Sequence, residues 1–120
     1  MITCIIISYN DEKRIRLVIE TAKRWADEIV IADKSSTDET PNIARQLGVF
    51  VHQLPYSERG MEDWRHVVAI ANFNWIFALT AGEIPTPDLI LNVRRIIRSK
   101  SDSIDLIVVP LKCWSLGTHD

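Results

Sequence analysis

The sequence lacks several features that would place it in a specialised class of protein. Its two cysteines, Cys4 and Cys113, lie far apart without a metal-like partner nearby, so we expect a reduced, cytoplasmic context with both thiols in the core. The net charge of -2 gives no general electrostatic case for binding nucleic acid. No apolar run approaches the roughly 20 residues that span a bilayer. The first residues after Met1 are not typical of a secretory signal.

The nucleotide-binding motifs that are easiest to recognise are also missing. There is no G-x-G-x-x-G and no G-x-x-x-x-G-K, so neither a Rossmann dinucleotide site nor a P-loop is supported. There is no internal repeat and no low-complexity linker. A chain of 120 residues with 47% hydrophobic and 25% charged residues is typical of a globular protein, and we expect residues 1–120 to form one domain.

Apolar runs rich in β-branched residues alternate with stretches of helical spacing along the chain. The predicted strands are residues 2–7, 28–33, 49–54, 75–79 and 105–110, and the predicted helices begin near Asn10, Thr40, Met61 and Thr86. This alternation calls for a parallel sheet joined by right-handed crossovers, with helices on both faces. The expected fold is therefore a three-layer α/β sandwich with a mostly parallel sheet.

Polar residues at the element boundaries predict where the helices begin and end. Asn10 is a candidate N-cap of the first helix. Ser36 and Glu39 have the spacing of a capping box, and Pro41 fits the first turn of the second helix. Gly48 stands just past the end of that helix, a position that favours glycine.

The stretch from Ile29 to Thr40 organises the rest of the chain. Its first three residues suit a strand buried on both faces, and Asp33 stands where that strand ends. Open α/β sheets bind ligands beyond the carboxyl ends of their strands. We therefore expect the loops at residues 8–11, 33–38, 55–65 and 80–83 to gather at one ligand-binding edge.

The polar residues of these loops suit recognition of a nucleotide. Tyr9 can lie against a flat base, and Asp11 or Glu12 can accept hydrogen bonds from a base or a ribose. Asp33 can accept from an imide N–H or a ribose hydroxyl, and Arg65 offers a fixed positive charge for a diphosphate. Simpler interpretations stay open, because residues 8–12 can serve only to cap a helix and Arg65 can be a solvated surface arginine.

Two segments resemble the N-terminal half of family 2 glycosyltransferases of GT-A fold. Ile5–Asn10 followed by Asp11 and Glu12 matches the family's first loop, and Trp25–Thr40 is similar to bacterial enzymes that extend lipopolysaccharide core. The likeness covers roughly residues 2–90. It implies a donor site for a UDP- or GDP-sugar, formed by Ser8, Tyr9, Asn10, Asp11, Glu12, Asp33, Ser35 and Arg65, with Arg65 near the diphosphate.

The chain departs from the family at its metal site. The family usually ends its fourth strand with an Asp-x-Asp pair, where Mg²⁺ or Mn²⁺ bridges the donor diphosphate to the protein. Here Thr80, Ala81 and Gly82 stand at the matching positions, which the resemblance assigns to the diphosphate and sugar region, and Glu83 is the one acidic group left. Glu83 is therefore either a residual metal ligand or an exposed loop glutamate, and a divalent cofactor becomes doubtful.

The resemblance implies a short, hexosyltransferase-type glycosyltransferase that moves sugar from the donor to an acceptor hydroxyl with inversion. The acceptor would be a glycan or a lipid-linked glycan, in the cytoplasm or at the inner face of a membrane. The family's general base and most of its acceptor site lie in its second half, so no catalytic residue is assigned. A dimer or a separate chain is one way to complete the acceptor site. The alternatives are a non-catalytic nucleotide or nucleotide-sugar binding module, a bare assembly domain, and a fragment of a longer transferase.

Overall fold

The computed structural model describes residues 2–56, 69, 71–72 and 75–100 of the chain. The chain divides into two compact units, Met1–Glu83 and Ile84–Asp120. The first unit contains every described strand and the first two helices. Among the described residues, no helix combines the length and the apolar character that crossing a bilayer requires. That the chain forms a single domain stays a prediction.

The first unit is built on a parallel sheet of four strands in the order β3-β2-β1-β4. The strands are β1 (Ile2–Ser8), β2 (Glu28–Asp33), β3 (Phe50–Gln53) and β4 (Trp75–Thr80). Each matches a predicted strand within about two residues, the usual uncertainty of an assigned boundary. Because every pair is parallel, the carboxyl ends of all four strands lie at the same edge of the sheet.

Two helices cover one face of this sheet. Helix α1 spans Ile15–Ala22 and helix α2 spans Thr40–Gln46. The apolar cluster between them and the sheet consists of Cys4, Ile6, Ile15, Val18, Ile19, Ala22, Ile31, Ala44, Leu79 and Ala81. Each isoleucine in it is fully buried, which contributes about 1.5–3 kcal/mol per side chain. Burial raises the pKa of the Cys4 thiol to about 12, so this cysteine acts as a small core hydrophobe.

The alternate residues of the central strands form a second apolar cluster on the opposite face. Ile5 packs there with Val30, Ala32 and Leu54. Ile5 and Ala32 are completely buried. The central strands are therefore apolar on both faces, as a continuous hydrophobic run predicts.

The second unit contains helix α3, which spans Pro87–Lys100. The Thr86 hydroxyl accepts a hydrogen bond from the Leu89 N–H at 3.2 Å, and Pro87 is the first residue of the helix. The predicted start of this helix is therefore confirmed. Ile90 and Val93 are its buried residues.

Two predicted N-caps are wrong. Helix α1 begins at Ile15 rather than after Asn10, and the backbone of Asn10 has a φ of 52°. Helix α2 begins at Thr40, and Ser36 does not cap it. Both side chains instead bond to neighbouring loops, as described below. A helix cap is predicted from residues that are neighbours in the sequence. Here Asn10 and Ser36 instead form hydrogen bonds with a loop that is distant in the sequence.

Some of the remaining boundary predictions are confirmed, and the others fall on residues that the structure does not describe. Pro41 lies in the first turn of α2, and Gly48 follows the helix with a φ of 82°. Both predictions are confirmed. The helix expected from Met61, with Arg65, and the strand expected at residues 105–110 lie outside the described residues.

Candidate functional site

The carboxyl ends of the four strands carry the candidate site. We call this edge the strand-end rim and define it as residues 8–14, 33–40, 54–56 and 80–83. Backbone hydrogen bonds extend the sheet pairing into it: Lys34 N–H donates to Ser8 O, Leu54 N–H to Asp33 O, and Ala81 N–H to Ile7 O. The loops therefore leave the sheet side by side, as parallel strands require.

Asp33 is the buried centre of the strand-end rim. Its carboxylate is fully buried and accepts hydrogen bonds from the Ser8 hydroxyl at 2.8 Å, the Ser36 hydroxyl at 2.6 Å and the Ser36 N–H at 2.9 Å. A buried carboxylate needs such donors, because removing its water is costly. Asp33 therefore supports the loops after β1 and β2 from inside the protein. Its contact with a base stays a prediction.

Asn10 ties the loop after β1 to the loop after β2. Its backbone N–H donates to the Ser36 hydroxyl at 2.9 Å, and its side-chain oxygen accepts from the Thr37 N–H at 2.8 Å. Asparagine tolerates the positive φ found here better than most residues. The side chain is therefore engaged in loop pairing while the residue itself remains exposed.

Thr40 makes a second link between the same loops. Its hydroxyl accepts from the Asp11 N–H at 2.8 Å and donates to Asp38 Oδ1 at 2.5 Å. Asp38 also accepts from the Thr40 N–H and from the Glu12 N–H. Burial alone would raise the pKa of Asp38, but these donors together hold it below its ordinary value of 3.8. The Asp38 carboxylate therefore holds the loop after β1 against the loop after β2.

Ser35 closes the loop against β3. It has a φ of 61°, and its hydroxyl donates to Leu54 O at 2.6 Å. A positive φ is unusual for serine, so the hydrogen bond holds the residue in a conformation that glycine would adopt freely. Ser35 as a residue is exposed to solvent at the rim.

Two exposed tyrosines lie together on the rim. The ring centroids of Tyr9 and Tyr56 are 4.7 Å apart, and the rings are tilted by 54°. Tyr9 is 42% exposed and Tyr56 is 55% exposed, although aromatic rings usually contribute to a core. The ammonium group of Lys34 lies 6.0 Å from the centroid of Tyr56. The rim thus presents aromatic surface, and the lysine next to it is itself buried.

The segment after β4 lies on the same edge but carries no carboxylate pair. Glu83 Oε1 accepts hydrogen bonds from the Thr80 N–H at 2.8 Å and the Thr80 hydroxyl at 2.9 Å. Gly82 lies against Arg14, since a Cβ built on this glycine would be 3.2 Å from Arg14 Nη1. Arg14 Nη2 in turn donates to Asp11 Oδ1 at 2.6 Å.

This segment offers a divalent cation a single carboxylate, that of Glu83, whose Oε1 already accepts two hydrogen bonds from Thr80. Mg²⁺ and Mn²⁺ take carboxylate oxygens by preference, whereas Thr80 offers a hydroxyl engaged with Glu83, and Gly82 offers only backbone. A guanidinium beside Gly82 also repels a cation. Within the part of the chain that the structure describes, no group of three His, Cys, Asp or Glu side chains is arranged to hold a metal.

The structure brings together most of the residues predicted for the site. Those gathered on the strand-end rim are Ser8, Tyr9, Asn10, Asp11, Glu12, Asp33, Ser35, Thr80, Ala81, Gly82 and Glu83. Arg65 lies outside the described residues. The loop predicted for this edge at residues 55–65 includes Tyr56 without singling it out, and Arg14 was missed. Tyr56 follows β3 closely, so a rule that examines every residue just after a parallel strand would have found it.

Solved structures of similar fold identify the architecture. Staphylococcus aureus TarS residues 1–349 superpose with a TM-score of 0.71 at 19% identity, over 83% of this chain and 33% of that chain. Glucosyl-3-phosphoglycerate synthase from Mycobacterium tuberculosis, in complex with Mn²⁺, UDP and glucosyl-3-phosphoglycerate, gives 0.65 at 20% identity over 82% and 38%. The predicted α/β fold with a parallel sheet of GT-A type is confirmed.

The sequence comparisons identify the family. The sequence model of Glycosyl transferase family 2 matches residues 3–114, so the chain belongs to that family. The SPbeta prophage-derived glycosyltransferase SunS of Bacillus subtilis is 29% identical over 91% of this chain and 26% of its own length. An uncharacterized glycosyltransferase of Rickettsia bellii is 31% identical over 83% and 34%. The chain therefore spans about a quarter to a third of these relatives' length.

Proposed function

We propose that the strand-end rim binds the nucleotide of a nucleotide-sugar donor. The observation that carries this proposal is the exposed pair of Tyr9 and Tyr56 at the carboxyl edge of the sheet, next to polar loops that are already ordered by their own hydrogen bonds. A flat base can lie against such rings. Structural neighbours bind UDP and, in one complex, UDP-glucose, which makes a uridine diphosphate sugar the first donor to test.

The polar residues divide into supporting and contacting groups in this proposal. Ser8 and Asp33 support the rim, because their polar atoms bond to each other in a buried setting. Asn10, Glu12 and Ser35 are exposed and lie where a ribose or the base edge would be recognised. Arg65 is proposed near the diphosphate by family likeness alone. For Asp33 to contact the base, one of its present hydrogen bonds would have to break.

The proposed reaction is sugar transfer with inversion. An acceptor hydroxyl oxygen forms a bond to the anomeric carbon, the bond from that carbon to the diphosphate oxygen breaks, and the nucleoside diphosphate leaves with the electron pair. The acceptor proton passes to a general base that we do not assign. The Asp-x-Asp pair is degenerate in this proposal, with Glu83 the remaining acidic group and Mn²⁺ or Mg²⁺ bound weakly if at all.

A non-catalytic module is the second candidate function. It is favoured by one observation, the replacement of the carboxylate pair by Thr80, Ala81 and Gly82. A module of this kind would bind the nucleotide sugar without transferring it. The chain would then be either a minimal domain or the donor-binding part of a longer transferase, completed by a second copy or another chain.

Location and acceptor are proposed from the same likeness. A cytoplasmic site suits the reduced thiol of Cys4, which is buried and free. A glycan or lipid-linked glycan acceptor would place the protein at the inner face of a membrane. Sedimentation of the purified chain with acceptor-bearing vesicles, compared with plain vesicles, tests that placement.

Titration calorimetry with UDP, GDP and their glucose derivatives tests the proposed function. Each ligand is titrated with EDTA and again with Mn²⁺, and release of nucleoside diphosphate is followed with candidate acceptors. We expect binding of at least one nucleoside diphosphate. Binding with release of the diphosphate supports a transferase, and binding without release supports the module. No binding at millimolar ligand would contradict both.

A further inference from the structure

Arg14 lies on the strand-end rim beside the segment that follows β4. It immediately precedes α1, and Gly82 follows β4 by two residues. A Cβ on Gly82 would lie only 3.2 Å from Arg14 Nη1, so a side chain at this position would push the guanidinium aside by a few tenths of an ångström. The family's acidic pair is expected at Thr80 and Gly82, so a protein cation lies beside one of the two positions.

The guanidinium is held in place yet remains accessible. Arg14 Nη2 donates to Asp11 Oδ1 at 2.6 Å, while Asp11 Oδ2 accepts from the Tyr9 N–H at 2.9 Å. The Asp11 side chain is 10% exposed and that of Arg14 is 45% exposed. The buried carboxylate therefore orients an arginine whose side chain stays nearly half exposed. A guanidinium has five N–H donors, and a fork of two matches a phosphate.

We propose that Arg14 binds the diphosphate of the donor and supplies the positive charge that a divalent cation supplies in metal-dependent relatives. This inference rests on the proposed function, because it needs a nucleoside diphosphate on the rim. It goes further by assigning the charge to one residue and by making donor binding independent of metal. Arginine suits the role because it stays protonated and binds phosphate with two parallel hydrogen bonds.

A simpler explanation is that the ion pair between Arg14 and Asp11 only starts the helix. Such a pair three residues apart at a partly exposed site contributes little to stability. It would also be indifferent to nucleotides. The two explanations therefore separate on ligand affinity rather than on stability.

The test measures the affinity of the purified chain for UDP, UMP and uridine in EDTA, by calorimetry. The variants are Arg14→Gln, Arg14→Lys and the matched control Arg16→Gln, which removes an exposed arginine of α1 that pairs with Glu20 at 3.7 Å. We expect Arg14→Gln to weaken UDP binding about tenfold or more and to leave uridine binding unchanged. Arg14→Lys should retain part of the affinity, and Arg16→Gln should match the unmodified protein.

The outcomes distinguish failure of this inference from failure of the proposed function. If the unmodified protein binds no nucleotide, with or without Mn²⁺, both fail. If it binds UDP only with Mn²⁺, or if Arg14→Gln binds UDP as tightly as the unmodified protein, the inference fails and the proposed function stands. Circular dichroism and thermal unfolding of each variant confirm that it is folded, and uridine affinity provides an internal check on the site.

Two further variants test the role of the Arg14 charge by changing Gly82. Gly82→Asp restores one acidic residue, but in the presence of Arg14 its carboxylate is expected to pair with the guanidinium. We therefore expect Gly82→Asp alone to weaken UDP binding and to gain no dependence on Mn²⁺. Combined with Arg14→Gln, the same substitution should make UDP binding stronger with Mn²⁺ than with EDTA. Metal dependence in Gly82→Asp alone would overturn the inference.

Discussion

Ser8 and Asp33 are register partners at the carboxyl ends of β1 and β2, and the Ser8 hydroxyl donates to Asp33 Oδ1 at 2.8 Å. The pairing places a carboxylate under the loops that follow β1 and β2. Since Ser36 adds two more donors, Asp33 organises the site from inside the protein.

Asp33→Ala is expected to lower the free energy of unfolding by about 3 kcal/mol, because it leaves buried donors without an acceptor. Urea unfolding followed by circular dichroism measures the change. Glu20→Ala, which removes an exposed carboxylate on α1, is the control and should stay within about 0.5 kcal/mol of the unmodified protein. A stable Asp33→Ala variant that loses nucleotide affinity would show instead that Asp33 contacts the ligand directly.

Ser35→Gly and Ser35→Ala should differ in stability although both remove the hydroxyl. Glycine relieves the positive φ of 61° at this position, whereas alanine keeps the strain and loses the hydrogen bond to Leu54 O. We expect Ser35→Ala to be less stable than Ser35→Gly by about 1 kcal/mol. Chemical unfolding midpoints check the order. Equal midpoints would mean that the backbone of the loop relaxes when the hydroxyl is removed.

Asp38 should make stability depend on pH in the acid range. Its pKa in the folded protein lies below 3.8, so its contribution is complete above 3.8 and is lost as the pH falls below that value towards the lower folded pKa. Asp38→Asn should therefore show a smaller loss of stability on acidification than the unmodified protein. Thermal unfolding across that range measures the difference.

Glu28 provides the internal reference for that comparison. Burial would raise the pKa of Glu28, but hydrogen bonds from Asn72 and Thr3 together lower it below 4.5. Since Glu28 is retained in both proteins, its effect on the pH dependence is common to them. Identical pH profiles for Asp38→Asn and the unmodified protein would contradict the assignment to Asp38.

Tyr56→Ala is expected to weaken binding of the nucleoside by about 1–3 kcal/mol, the range for loss of an aromatic ring beside a base. Tyr56→Phe should retain most of the affinity, because the ring remains. Phe50→Ala is the control: Phe50 is also exposed, at 58%, but it begins β3 at the opposite end from the rim. Calorimetry with uridine gives the comparison. Equal losses in Tyr56→Ala and Phe50→Ala would place the base elsewhere.

Much of the fold followed from patterns that are local in sequence. The apolar run at Ile2–Ser8 and the run at Glu28–Asp33 were recognisable because a strand buried on both faces has no polar alternation. Pro41 and Gly48 marked the ends of α2 for equally local reasons, a fixed φ and a tolerated positive φ. Parallel pairing then placed the polar loops on one edge.

The roles of the side chains on that edge could not be predicted from their neighbours in the sequence. Asn10 and Ser36 are good helix caps by residue type, yet each bonds to the neighbouring loop because the sheet brings that loop within reach. Residue type alone did not single out Tyr56 or Arg14, since a tyrosine or an arginine near a loop is common. Their positions depend on which strands are neighbours.

The sequence by itself therefore determined the class of fold, the edge on which the polar loops gather and the absence of a carboxylate pair at residues 80–82, because these depend on periodicity and residue type. Only the tertiary structure decided that Asp33 is buried beneath the loops and that Arg14 lies against Gly82. Both relationships join residues far apart in the chain. They arise from the strand order β3-β2-β1-β4, which brings the loops after β2 and β4 to either side of the loop after β1.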